Sequence, residues 1–397
     1  MTMQTREAIN KLPSLVLWPF ALGALYFLSQ RISNHRRRVK TKLQNGCKSP
    51  SRYPVWDPIF GVDVIYDAIR AIKRKTFMSE KQSHYEAYGN THSSRLATDS
   101  IISTIEPDNI KTVLSTNFKD FVIGTPRRRA FGPIIANSIL VADGLEWEHS
   151  RAFLKPSFSR SQVGDLATLE VHVKDLLNAI PRDGSTVDLT ELFLRYTADV
   201  TTDFMFGESI LSLPQPEAFG GDLAKACRDA QLGAERRFRL GIFASWVPQQ
   251  SFYRSVAKVH AYMDARVEKA IQRRRLQEQA KKDATQGTNR YIFSDELVKL
   301  TDDRLTLRDQ LLGIFFAGRD TTAALLSNLF FVLTRNPEVW KRLHKEIDTI
   351  NGRNPTLDEL KGLKYLNSCL NESQISLINS NDYVADMHTA QHFDYIQ

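Results

Sequence analysis

The stretch FFAGRDTTAALLS (residues 315–327) lies within a long apolar run, yet it carries a glycine, a charged pair and two hydroxyls. Apolar residues recur at helical spacing from about Leu305 to Arg335, which predicts the longest helix of the chain. Within it Ala317 and Thr321 are four apart and share a face. Gly318 removes a side chain beside them, so something flat and large can lie against the backbone, at a cost to the helix. Asp320 and Thr321 together offer an acid and a hydroxyl, the parts of a short proton relay. A plainer reading stands beside that one. Thr321 and Thr322 can bond back to carbonyls one turn earlier, and Asp320 can pair with Arg319.

Working outward, most of the body has helical period. Residues 100–107 (SIISTIEP) form a short β-branched run that reads as a strand, and a helix begins at Pro107. Residues 144–158 read as a helix ending before Pro156, with Trp147 and Arg151 one turn apart on one face. An indole N–H and a guanidinium projecting together suit a carboxylate on a ligand, although a core Trp with an Arg running past it is the commoner use of such a pair. At least two more helices fall in 160–212, with Gly207 as a stop, and 254–283 is a long polar-faced helix. Asn336 with Pro337 opens another helix that ends at Gly352, and Thr356 with Glu359 makes a capping-box signature. The fold class is mainly α with a small β portion.

Composition narrows the function. A hydrophobic share of 42% with 25% charged residues belongs to a folded globular body. The three cysteines, Cys47, Cys227 and Cys369, have no C-x-x-C spacing, which argues against a disulfide scaffold or a structural zinc. Eight Lys and Arg residues with no acid lie between Arg31 and Arg52, and they equal the whole net charge of +8. The rest of the chain is near neutral, which is weak support for nucleic-acid binding. Leu12 to Gln30 holds no charged side chain and approaches the length that crosses a bilayer core, so an N-terminal membrane helix is expected. The basic flank places the body in the cytosol, beyond a connector with three prolines. A cleaved signal peptide would carry its charge before the apolar run and a small-residue site after it. A buried core helix is the other alternative.

AGRDTT (317–322) resembles the oxygen-binding signature of the cytochrome P-450 monooxygenases, and W-x-x-x-R (147–151) resembles that family's haem-propionate motif. YPVWDPIFGVD (53–63), NFKDF (117–121) and DGLEWEHSR (143–151) look most like the fungal branch that hydroxylates n-alkanes and fatty acids. The resemblance runs from about residue 10 to about 373. It implies that Thr321 and Asp320 deliver protons to iron-bound dioxygen, that Ala317 and Gly318 leave room for oxygen over haem b, and that Trp147 and Arg151 hold a propionate. It further implies an NADPH-dependent reductase as electron donor, docking on a basic patch near the Trp147 helix to which Arg151, Lys155 and Arg160 could contribute, although a solvated face is the simpler reading of those three. An apolar substrate would lie among the irregular segments Phe121–Leu140 and Gln231–Trp246. The endoplasmic reticulum membrane, spanned once, is the implied location.

Two further signatures of that family are absent from this sequence. Glu372 stands where its E-x-x-R motif begins, but Ile375 occupies the arginine position. No loop of the form F-x-x-G-x-R-x-C-x-G occurs, so the thiolate that ligates iron has no counterpart and no metal ligand is assigned. Residues 374–397 contain no Lys or Arg and lack a clean period, and His388 and His392 there carry no metal assignment. The chain thus divides into a lumenal N-terminus (1–11), an anchor (12–30), a basic and proline-rich connector (31–58), a partial monooxygenase domain (59–373) and a tail outside the family pattern (374–397). Two functions remain: a membrane-bound monooxygenase acting on an aliphatic chain, or a truncated, inactive product without the ligand cysteine. A membrane-anchored helical interaction protein is the reading that ignores the resemblance.

Overall fold

The computed structural model describes residues 25–26, 29–30, 32–57, 61–74, 76–96, 99–158, 166–215, 219–280 and 291–379. The expected anchor and tail therefore fall largely outside the described residues. Among the described residues, no helix is long and apolar enough to cross a membrane.

The chain forms two units, residues 1–70 with 80–110, and 71–79 with 111–397. In the first, strands β1 (Ser51–Arg52), β2 (Thr91–Leu96) and β3 (Asp99–Thr104) form a sheet in that order. β1 runs parallel to β2, and β2 is antiparallel to β3. Helices α1 (Val62–Lys73) and α2 (Phe77–Tyr88) precede β2 in the chain. The strand read from SIISTIEP is β3, and the helix expected from Pro107 is α3 (Pro107–Lys111), which widens into a π-helical turn over Thr112–Thr116.

The second unit is helical: α4 (Thr125–Ile135), α5 (Gly144–Leu154), α6 (Leu166–Ala179), α7 (Leu189–Phe206), α8 (Phe219–Leu240), α9 (Gln250–Ala280), α10 (Phe293–Val298), α11 (Arg304–Arg335), α12 (Pro337–Ile347), α13 (Leu357–Gly362) and α14 (Lys364–Asn379). α11 is the longest helix described. Asp303 caps it by accepting from the amides of Leu305 and Thr306, and its first half buries Leu307, Leu311, Leu312, Phe315 and Phe316. A helix apolar on so many sides belongs inside, and α11 packs against α4, α7, α9 and α14.

Several local expectations hold at the residue. Gly207 ends α7 at φ 72°, and α5 stops at Leu154, before Pro156. The capping box of Thr356 and Glu359 is formed. Others are corrected. α12 ends at Ile347, and Asn351, at φ 55°, turns the chain before Gly352 does. The segments 121–140 and 231–246 are less irregular than expected. The first contains α4, and the second continues α8 to Leu240 before a 3-10 turn over Gly241–Trp246. Burial of Ala130, Ile134 and Ile135 outweighs Gly132 and Pro133 in α4.

Candidate functional site

The middle of α11 has two unlike sides. Ala317, Thr321 and Thr322 are exposed, whereas Arg319 and Ala323 are buried. The Thr321 hydroxyl donates to the Ala317 carbonyl at 2.7 Å, so the back-bonded reading of that threonine is the one the structure adopts. Gly318 serves a different surface from the one expected. A Cβ there would come within 3.2 Å of Thr201 Oγ1 on α7, so the missing side chain lets two helices approach. Thr197, one turn earlier on α7, donates to the Arg319 carbonyl at 2.8 Å and secures the same crossing.

Asp320 is half-buried, at the edge between the two sides. Its carboxylate accepts from Gln231 Nε2 of α8, and Arg319 Nε stands 3.7 Å from Oδ1. Gln231, at the start of a segment expected to contribute to a substrate pocket, holds the acid of the candidate relay. The acid and the Thr321 hydroxyl remain neighbours in sequence with separate partners, and each is held in place.

Trp147 and Arg151 lie together on α5, as their spacing requires. The guanidinium sits 5.3 Å from the centre of the indole, and Phe118 packs on the same ring with centroids 5.2 Å apart. The pair is thus a stacked cation and aromatic, with Arg151 exposed. Its N–H donors stay available to a ligand carboxylate.

What fixes α5 to α11 is a set of residues that pattern reading passed over. Gln310 is 1% exposed. Its Nε2 donates to Ser150 Oγ on α5 and to the Asn137 carbonyl, both at 2.8 Å, and its Oε1 accepts from the Ile139 amide at 3.1 Å. Asp309 beside it accepts from the Asn137 amide at 3.0 Å. Three consecutive polar residues, Arg308 to Gln310, directly before an apolar run were the available signal, since a buried polar side chain must find partners. Trp147 and Arg151 are therefore carried by a helix bolted to α11 about two turns before Ala317.

The two cysteines of this unit are buried. Cys227 is 1% exposed in the main core, where burial pushes its thiol up to about 12. Cys369 is buried with Leu329, Leu333 and Leu343, and burial raises its thiol too. Cys47 is exposed in the other unit. Among the described residues no group of His, Cys, Asp and Glu could hold a metal ion. The exposed small-residue face of α11 and the Trp147–Arg151 pair fit one side of a flat, carboxylate-bearing cofactor. Among the described residues of this unit, both thiols are buried.

The family model described as Cytochrome P450 matches residues 61–374. Cytochrome P450 monooxygenase himC of Aspergillus japonicus is 39% identical over 345 residues, covering 85% of this chain and 61% of the relative. Cytochrome P450 monooxygenase fsdH of Fusarium heterosporum is 36% identical, covering 89% and 63%. Cytochrome P450 52A12 of Debaryomyces hansenii is 39% identical, covering 82% and 65%. The chain thus spans less than two thirds of the length of these three relatives.

Proposed function

Because the chain belongs to the cytochrome P450 family, we propose that it carries the oxygen-side half of a haem monooxygenase hydroxylating an aliphatic alkane, fatty-acid or polyketide-like chain. Haem is the family's cofactor, and when bound it supplies the iron at which dioxygen is reduced. The electrons come from NADPH through a partner reductase, as the resemblance implies. The observation that carries the proposal is the open face at Ala317, Thr321 and Thr322 in the middle of a helix otherwise built for burial.

In this reading the methyl of Ala317 leaves the face low enough for oxygen. The Thr321 hydroxyl gives its one proton to the Ala317 carbonyl, so it presents its oxygen as an acceptor on this face and passes that proton on only by releasing the carbonyl. Asp320, held by Gln231, is the acid from which that hydroxyl is recharged. Trp147 and Arg151 bind a carboxylate of the cofactor. The uncharged run at 12–30 and its basic flank support a single-span anchor in the endoplasmic reticulum membrane with the body facing the cytosol.

A second reading, favoured by the placement of the three cysteines, is that this chain is an inactive product unable to ligate iron. Titration of the full chain with haemin, followed by its Soret absorbance, tests the first element of the proposal. Saturable binding is expected. Arg151→Met should weaken it about tenfold or more, since a hydrogen bond to a charged group contributes about 1.5–3 kcal/mol. No binding, or equal binding by the variant, overturns the assignment of this face. The carbon monoxide spectrum of the reduced complex then separates the readings. A thiolate-type band supports a working oxygenase, and its absence with haem bound supports the inactive product.

A further inference from the structure

A cleft of about 620 Å³ opens in the second unit between α4, the end of α8 and the start of α9. Its size lies within the range of small-molecule sites. Ala244, Val247 and the ring of Tyr253 give it apolar walls, and Arg129 and Arg237 stand among them.

The two arginines play different parts. Arg237 is half-buried. Its Nη1 donates to Gln249 Oε1 and, at 3.3 Å, to the Tyr253 hydroxyl, and its Nη2 donates to the Arg129 carbonyl at 3.1 Å. The guanidinium also lies over Phe252 and Tyr253, 5.4 Å and 6.0 Å from the ring centres. Every one of these partners is neutral, so a full positive charge is fixed in the wall without a counter-charge. Arg129 is exposed, and its side chain has no hydrogen bond or ion pair among the described residues, so its N–H donors stay available. Tyr253, 50% exposed, accepts from Arg237 and keeps its own proton to donate.

No acid offsets these charges. Among the described residues the cleft is lined by no Asp or Glu. Glu235 on α8 pairs with Arg239, and Glu146 on α5 pairs with Arg128. Two cations beside apolar walls suit a molecule with an anionic head and an apolar tail, and a guanidinium fork matches a carboxylate in particular. α8 also ties the cleft to the oxygen-side face. Gln231, which holds Asp320, precedes Arg237 by six residues, about 9 Å along the helix. We propose that this cleft holds the carboxylate of a fatty acid, with Arg129 pairing to it and Arg237 supplying the fixed charge. The inference rests on the aliphatic substrate proposed above and narrows its class to a chain with an acid end, in preference to a neutral alkane.

Calorimetry of the full chain in a nonionic detergent at pH 8 compares octanoate, octanol and octyl phosphate. Octanoate should bind about tenfold or more tighter than octanol, as a hydrogen bond to a charged group requires. Arg129→Gln, a change to an exposed side chain, should remove that advantage and leave octanol binding as it was. Equal binding of acid and alcohol overturns the proposal, as does an acid advantage that survives the substitution or tighter binding of octyl phosphate. Chemical protection locates the site. An arginine-specific dicarbonyl reagent should modify Arg129 more slowly when octanoate is present, and should modify exposed Arg70 of the other unit at an unchanged rate. Protection of both, or of neither, overturns the assignment. Haemin binding is read separately, without fatty acid. Haemin binding with no acid preference removes this inference alone and leaves a neutral chain as substrate. Acid preference without haemin binding leaves a fatty-acid site and overturns the oxygenase reading.

Discussion

Two glycines on α11 differ in what a methyl group would meet. At Gly318 an added Cβ would sit 3.2 Å from Thr201 Oγ1, a contact that a small shift relieves, and alanine improves helix propensity by about 1 kcal/mol. Gly318→Ala is therefore expected to leave stability within about 1 kcal/mol of wild type. At Gly313 the same methyl would overlap the hydroxyl of Ser138, which is fully buried. Gly313→Ala should cost about 1–3 kcal/mol, as overpacking does, and Ser138→Ala in the same chain should recover part of it. Urea unfolding of the two single variants and the double variant reads both outcomes. The cysteines give a second check at this scale. With its thiol pushed up to about 12 and 1% exposed, Cys227 stays protonated and covered throughout the neutral range. A thiol reagent at pH 8 should label Cys47 alone in the folded chain, and all three cysteines only after denaturation. Rapid labelling of Cys227 in the folded state would contradict its place in the core.

Elements reveal why some of the structure was legible in sequence. The bounds of α11, the stop at Gly207 and the Thr356–Glu359 box depend on neighbours a few residues apart, so a local pattern carries them. β2, with the sequence THSSRL, has no such pattern and forms because β3 pairs with it. The candidate site divides the same way. Which residues share a face of α11 or α5 follows from helical period. That Gln231 holds Asp320, or that Gln310 ties α5 to α11, joins positions far apart in the chain, and no local signal encodes such a pairing. Gln310→Leu removes that tie and leaves the Ile139 amide, the Asn137 carbonyl and the Ser150 hydroxyl short of a partner. Its cost should be about 3 kcal/mol or more, from about 1–3 for each buried group left unsatisfied. It should also weaken haemin binding that depends on Arg151, because α5 loses its anchor. A stable variant with unchanged binding would show that α5 is held by other contacts. Glu359 gives the element-scale pH dependence. Arg353, and then the amide and hydroxyl of Thr356, hold its carboxyl down at about 2. A depressed carboxyl adds stability that is fully present above its ordinary value of 4.5 and is lost as pH falls through about 2. An NMR titration should therefore place the Glu359 midpoint well below that of an exposed glutamate, and Arg353→Met should raise it.

At the scale of the whole molecule, surface tests the reading that residues tested at their own scale. The second unit leaves Phe118, Phe121, Val122 and Ile123 exposed in one short run, at 43%, 47%, 66% and 42%. The same unit leaves the Ala317, Thr321 and Thr322 face of its central helix open. Exposed apolar side chains gathered in one run mark a place where another body can bind. The proposed cofactor face predicts such surface, because a flat cofactor and an apolar substrate would be what covers it. The chain as it stands should therefore bind a hydrophobic fluorescent dye in its folded state, at temperatures below its unfolding transition. Haemin should displace part of that dye in wild type and less of it in Arg151→Met. Dye that binds only as the chain unfolds would mean that this surface is covered by the chain itself. The open face of α11 would then be a structural feature with no cofactor to explain it.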